Sequence, residues 1–517
     1  MKKSVLSIDC GTQSLRAFLI DEDGKILRKT QMIYEPYFSK KPGWAEQDAQ
    51  IYWNALVKAV RKITESVDLK DIRSIQAVTL TTQRATLVVV DEFGRPLRDA
   101  IIWLDQRKAK FDVRIPILKR IAYKLVGMDE AARMAQSEAK VNWIRQNEPQ
   151  IFERAHKFLF LSGYLIHKLT GKFVDSNASQ VGYLPFDHKK GKWADANDIK
   201  SIIFPIPREK LVDLVKPSQL LGTLKDDVAK LFHISSGTPL IAAASDKSCE
   251  TLGVGAIAED FASLSFGTTA TVQVTSGRYY EPIKYMPSYV AAIPGYYNPE
   301  VEIFRGFWMV KWFKEEFGLK EVQKAIERGV SAEELMDDFL KDVPAGSLGL
   351  TVQPYWTPGL KMPEAKGAII GFASMHTRAH VYKAIVEGLG YALFDGKNRI
   401  EKAGKVKIKR LAVSGGGARS DQVCQVISDI FNLPVYRGET HESSGLGAAI
   451  DAFVGIGVHS SFQDAIKKMV RYSRIFKPNE KNVEIYSQIF NKIYKHMYSR
   501  LKPLYRKMKN QMEYPHK

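Results

Sequence analysis

The chain is poor in cysteine, in acid relative to base, and in long apolar runs. Its 517 residues hold three cysteines, Cys10, Cys249 and Cys424, odd in number and far apart. That argues against a disulfide framework or a zinc site and points to a reducing compartment. No apolar stretch approaches the ~20 residues of a membrane span, so no membrane partner is expected. Met1-Lys2-Lys3 opens like a secretion signal, but Asp9 interrupts the apolar run that follows, and the expected location is the cytoplasm. There is no G-x-x-x-x-G-K-[ST] phosphate loop, no H-R-D or D-F-G kinase set and no G-x-S-x-G elbow. Gly253-Val-Gly255-Ala-Ile-Ala258 fits a dinucleotide pattern but follows a helical segment instead of a strand, and is set aside.

What is present is ordinary in amount: 45% hydrophobic and 26% charged residues, enough for about two to four domains. Lys and Arg outnumber Asp and Glu by 76 to 57, a net charge of +19. The excess is spread out and densest in 492–517. There Tyr494, Met497, Leu501, Leu504 and Tyr505 fall at helical spacing, which predicts a docked amphipathic helix with a solvated basic face, not a nucleic-acid tail.

The informative stretch runs from Leu240 to Ala270. An apolar run, Leu240 to Ala244, predicts a buried strand, and Asp246 lies just past its end. A second strand, Phe261 to Phe266, breaks at Gly267-Thr268-Thr269 and resumes at Ala270. A carboxylate at a strand end near such a turn suggests a proton acceptor beside a phosphate cradle; a helix cap is the plainer reading of the same acid. The N-terminus repeats the plan. Ser4 to Asp9, then Gly11-Thr12-Gln13-Ser14-Leu-Arg16, then Ala17 to Ile20 read as strand, turn, strand. Two such hairpins half a chain apart suggest two similar domains, each offering one turn to a shared ligand.

Other strand ends collect polar residues. Thr82-Gln83-Arg84-Ala85 interrupts a strand that resumes at Thr86, and Ala100 to Trp103 ends in Leu104-Asp105-Gln106-Arg107. That pattern suggests a ligand crevice along one edge of a sheet. A helix is expected from Leu125 to Gln146. Leu411-Ala-Val413-Ser-Gly415-Gly416-Gly417-Ala418, followed by a helix from Ser420 to Phe431, suits a nucleotide. The glycines let backbone approach a ring or phosphate, and the helix start favours anions; a tight packing turn is the alternative.

These motifs, in this order, resemble the FGGY family of carbohydrate kinases from Val5 to about Val454. Asp9 to Arg16 is similar to the family's first phosphate loop and Gly267-Thr268-Thr269 to its second. Leu411 to Ala418 is similar to the adenosine motif shared with actin and hexokinase. Gly367 to Gly371 with His380 to Glu387 approximates the C-terminal signature, and Ser137 to Trp143 the N-terminal one. The resemblance implies an α/β fold of two ribonuclease-H-like domains around a central cleft. The expected boundaries are 1–253, 254–478 and a basic helix over 479–517. It implies ATP-dependent phosphorylation of a sugar, sugar acid or polyol, with Asp246 as general base. Thr12, Gln13, Ser14 and Arg16 would hold phosphate from one side and Gly267, Thr268 and Thr269 from the other. Gly306, Gly416, Gly417 and Ser420 would lie near the nucleotide, and Asp9 would orient Mg²⁺ through water. Gln83, Arg84, Trp103, Asp105 and Lys247 would line the sugar pocket with Asp246. Against glycerol kinases, Ala85 replaces a Glu, Ala135 an aromatic and Lys247 a Gln. A substrate larger than glycerol is therefore expected, with glycerol kinase as the alternative. A sugar-sensing pseudokinase is the non-enzyme reading, though neither Asp246 nor a phosphate turn is lost. A homodimer is left open.

Overall fold

The computed structural model describes residues 2–35, 37–110, 129–330, 332–357, 362 and 364–511. Two six-stranded sheets organise it. The first uses β1 (Ser4–Cys10), β2 (Ser14–Asp21), β3 (Ile26–Ile33), β4 (Ile75–Thr82), β5 (Leu220–Thr223) and β6 (Pro239–Ala242). Their order is β5-β6-β4-β1-β2-β3. The second uses β7 (Phe261–Phe266), β8 (Ala270–Gln273), β9 (Glu300–Ile303), β10 (Arg410–Ser414), β11 (Val435–Gly438) and β12 (Tyr472–Phe476). Their order is β12-β11-β10-β7-β8-β9.

The two sheets follow one plan. β1, β4 and β6 are parallel, β2 and β3 antiparallel, and β5 runs against β6. β7, β10 and β11 are parallel, β8 and β9 antiparallel, and β12 runs against β11. The hairpin repeat read from the sequence thus extends to the whole sheet. The central parallel strands are almost entirely buried, as strands covered on both faces must be. Their polar residues gather where each chain leaves the carboxyl end of its strand, the place where such sheets receive ligands.

Seven helices matter here: α1 (Asp246–Gly253), α2 (Arg378–Gly404), α3 (Asp421–Phe431), α4 (Ser443–Gly455), α5 (Phe462–Met469), α6 (Glu480–Ile489) and α7 (Lys495–Gln511). Packing crosses the boundary expected at residue 253. Leu446, Ile450 and Phe453 of α4, with Phe462 and Met469 of α5, are buried in the core of the first sheet, although the chain has by then built most of the second. The Ser7 hydroxyl donates to the Gly445 carbonyl at 2.7 Å, which ties α4 to β1. The chain then returns to the second sheet at β12. α4 crosses α1 at glycines. A Cβ on Gly447 would lie 1.8 Å from the Cys249 carbonyl oxygen, and one on Gly253 would lie 1.9 Å from that of Ser443. Only glycine allows this crossing.

Other elements differ from expectation in detail. Leu87–Val90 does not continue β4; it pairs with Lys157–Phe160 in a separate small sheet. The helix expected over 125–146 is two helices, Asp129–Glu138 and Lys140–Asn147, separated at Ala139; its first four residues lie outside the described ones. The C-terminal segment is docked as expected. Tyr486, Phe490, Tyr494, Met497 and Tyr505 are buried against the second lobe, while Leu504 is half exposed. Among the described residues, no helix is long and apolar enough to cross a membrane.

Candidate active site

A cavity of about 180 Å³ lies between the lobes. Each part of the fold contributes a chain end to it. β1 delivers Asp9 and Gly11, β7 delivers Ser265 and Gly267, and β10 delivers Gly415. The crossed helices α1 and α4 both begin at it, with Asp246 and Lys247 on one side and Glu442, Ser443 and Ser444 on the other. Two helix starts at one cavity give it a lining of backbone N–H groups and a field that favours an anion.

Asp246 is the first residue of α1, and Ser245 is the capping residue. Its Oδ1 accepts from the Lys247 backbone N–H at 2.8 Å and lies 3.8 Å from Arg84 Nε. Its side chain is about a quarter exposed. Burial raises the proton affinity of this carboxyl above the ordinary value, against the pull of Arg84 and Lys247. Asp9 is more enclosed. Burial pushes its carboxyl up to about 7, with Arg16 opposing from 3.7 Å. Arg16 also reaches Glu442 at 3.4 Å, so this expected phosphate ligand bridges two acids from different parts of the chain.

Lys247 does not face solvent. Its ammonium donates to Glu250 at 2.8 Å and to the Ser265 hydroxyl at 2.6 Å. Burial lowers its proton affinity, but Glu250 and Asp246 carry it above the usual lysine value. Burial also penalises the Glu250 charge, but Lys247 and the hydroxyls of Ser414 and Ser265 hold that carboxyl below its ordinary range. Glu250 was missed in the sequence. Its one signal is helical spacing, three residues after Lys247.

The first turn is hydrogen-bonded to Gln83 and Trp103. The Thr12 hydroxyl donates to Gln83 Oε1 at 2.7 Å and accepts from Trp103 Nε1 at 2.9 Å. Gln83 is buried and donates onward to Tyr52 at 3.1 Å. Gln13 and Thr268 are the exposed tips of the two turns, with Ser14 and Thr269 partly exposed beside them.

Asp105 is the main correction. Its side chain has no exposed surface. Its oxygens accept from the Ala45 N–H at 2.7 Å and from Arg107 at 2.9 Å, with Lys140 at 3.6 Å. The Arg107 guanidinium lies 3.9 Å from the Trp44 ring centroid and 4.7 Å from that of Trp143, the two rings themselves meeting edge to face. This carboxylate is taken up by Ala45, Arg107 and Lys140 and is not offered to a ligand.

The triple-glycine turn divides by function. Gly415 has φ +83°, and a Cβ there would lie 2.9 Å from the Phe266 carbonyl carbon. A Cβ on Gly417 would meet the Phe307 ring at 2.7 Å, so Gly417 is a packing glycine. Gly416 is exposed, and a Cβ there would meet nothing within 4 Å. Gly306 is buried, its Cβ direction blocked by Ala270 at 2.4 Å. Ser420 caps α3 by accepting from the Val423 N–H, and its hydroxyl donates to Asp337 at 2.6 Å.

Duplicated lobes that hand two backbone turns and two helix starts to one cleft are the build of a phosphotransferase. Family models place it more closely: residues 4–253 match the N-terminal domain, and 262–456 the C-terminal domain, of the FGGY family of carbohydrate kinases. The chain belongs to that family, whose reaction is ATP-dependent phosphorylation with an alcohol group as acceptor. A xylulose kinase of Lactococcus lactis is 30% identical over 502 residues, covering 96% of each chain. Crystal structures of a gluconate kinase and a xylulose kinase from Lactobacillus acidophilus superpose with TM-scores of 0.82 and 0.81. Each is 23% identical over 98% of this chain and 99% or more of its own, a likeness of fold.

Proposed function

We propose that this kinase phosphorylates a polyhydroxylated substrate larger than glycerol, with Asp246 as the general base. The observation that carries the reading is the position of Asp246. It stands at the start of α1, on the cavity wall, between the paired cations Arg84 and Lys247. A carboxylate with raised proton affinity there can take the proton of an attacking hydroxyl. As that O–H bond breaks, the oxygen bonds to the γ-phosphorus of ATP, the bond to the bridging oxygen breaks, and ADP leaves. Little covalent chemistry is required of the protein, so positioning and charge stabilisation do most of the work.

The turns after β1 and β7 would hold the phosphates through backbone N–H groups. Gly416 is the glycine of its loop with an open side, which suits a nucleotide base or ribose. Mg²⁺ fits the donor set. Asp9 is a partly enclosed acid that shares its one close cation, Arg16, with Glu442, and octahedral Mg²⁺ is commonly held by one or two carboxylates, water and substrate phosphates. When bound it would neutralise phosphate charge and order the phosphates for in-line transfer.

Ala85 and Ala135 support the larger substrate, since neither fills space as a Glu or an aromatic would. Asp246→Asn tests the base. It is expected to lower kcat by about 10²–10⁴-fold while ATP binding, read by calorimetry, stays nearly unchanged. Near-normal turnover would remove Asp246 from the role. Specificity constants for glycerol, xylulose, ribulose and gluconate test the pocket, and glycerol as the best substrate would refute its size.

A further inference from the structure

The sugar side of the cleft is built by both lobes. Arg84 leaves the end of β4, and its guanidinium donates to Glu300 at 2.8 and 3.1 Å and to Glu302 at 3.2 Å. Both acids stand on β9 of the second lobe. Val301 and Ile303 between and after them are buried in the core, so Glu300 and Glu302 share the opposite face. The same guanidinium lies 4.7 Å over the Tyr289 ring, with its Nε 3.8 Å from Asp246. The base, the arginine and the two glutamates are therefore one cluster.

Its charges decide what can enter. Three carboxyls face one guanidinium, and that guanidinium is already engaged by Glu300 and Glu302. The neighbouring cation, Lys247, is engaged by Glu250. Even with Glu302 protonated, Asp246 and Glu300 outnumber the guanidinium, so among the described residues of this cluster a substrate carboxylate would meet like charge without a free cation to answer it, and buried like charges are strongly disfavoured. Hydroxyl groups would instead meet acceptors. Glu302 is the outer of the two acids: its side chain is 18% exposed and that of Glu300 2%. Ala85 offers no carboxyl from the first lobe.

We propose that the site takes a neutral polyhydroxylated substrate, a ketose or an alditol, in preference to a sugar acid. In this arrangement Glu302 hydrogen-bonds a substrate hydroxyl, and Glu300 positions Arg84 beside the base. The inference rests on the kinase reading above. Burial and the neighbouring Glu300 raise the proton affinity of Glu302 well above the usual carboxyl value, which lets it donate as well as accept.

The test is coupled ADP release with xylulose, ribulose, xylitol and gluconate. The best neutral compound is expected to exceed gluconate in kcat/KM by at least about 100-fold; gluconate as the best substrate overturns the charge argument. Glu302→Ala is expected to raise KM for that neutral compound about 10- to 100-fold, with kcat within about threefold and KM for ATP unchanged. Glu302→Gln, which keeps shape and hydrogen-bonding capacity, is expected to restore KM to within about threefold. An unchanged sugar KM in the alanine variant overturns the contact. Should that variant lose its melting transition, Glu302→Asp serves instead, with an expected KM rise of at least about fivefold and the same refuting result. A wild-type enzyme that turns over nothing in the panel defeats the substrate reading proposed above and this inference together. Turnover with an unchanged variant KM defeats this inference alone.

Discussion

Asp9 carries two duties that oppose each other. Enclosing it beside the phosphate turn raises its pKa from 3.8 to about 7, so the folded protein holds a proton that the unfolded chain releases. Between about pH 4 and 7 the folded state binds more protons, and stability falls as pH rises. The shift of roughly 3 units sets an upper bound of about 4 kcal/mol, fully felt above pH 7. Asp9→Asn should therefore raise the denaturant midpoint at pH 8 and change it little at pH 4, while kcat falls. An equal gain at both pH values would contradict the account. The glycines allow a second comparison. Gly417→Val should lower Tm, because its side chain must displace Phe307, whereas Gly416→Val should raise KM for ATP at nearly constant Tm. Reversed behaviour would exchange the two roles.

At the scale of elements, a buried acid adds hydrogen bonds to the apolar contacts that join the C-terminal helices to the second lobe. Glu387 on α2 accepts from the Gly346 N–H, the Ser347 hydroxyl and the Tyr486 hydroxyl of α6, at 2.8 to 2.9 Å. Tyr486→Phe deletes one donor and leaves a buried carboxyl under-satisfied. It should cost about 1–3 kcal/mol in urea unfolding while sparing kcat/KM, and an unchanged midpoint would show that the bond contributes nothing. Elements of this kind were legible in part. Apolar runs interrupted by Gly-Thr turns announced both hairpins, because a turn between buried strands has few other solutions. The glycine run and its helix announced the tight turn that follows β10 for the same reason. Asp105 was misread because a polar residue at a strand end looks alike whether it meets ligand or arginine. Glu300 and Glu302 went unnoticed because alternating acids on a strand look like a solvated face. Only the fold brings Arg84 to them from more than two hundred residues away.

For the whole molecule, two turns on different lobes serve one ligand only if the lobes approach. A neutral substrate with a nonhydrolysable ATP analogue should lower the radius of gyration in small-angle scattering; an unchanged radius with calorimetrically proven binding would count against closure. The glycine crossing of α1 and α4 lies within the core of the first lobe, where neither helix can slide without meeting backbone. The return of α4 and α5 to the first sheet has another consequence. On a ribosome, β1, β4 and β6 emerge early, yet the helices that complete their core come after residue 443. The second lobe is thus threaded through the middle of the first. The half of the molecule made first must wait, partly uncovered, until nearly the entire chain has been synthesised, and in this protein the order of birth and the order of completion are reversed.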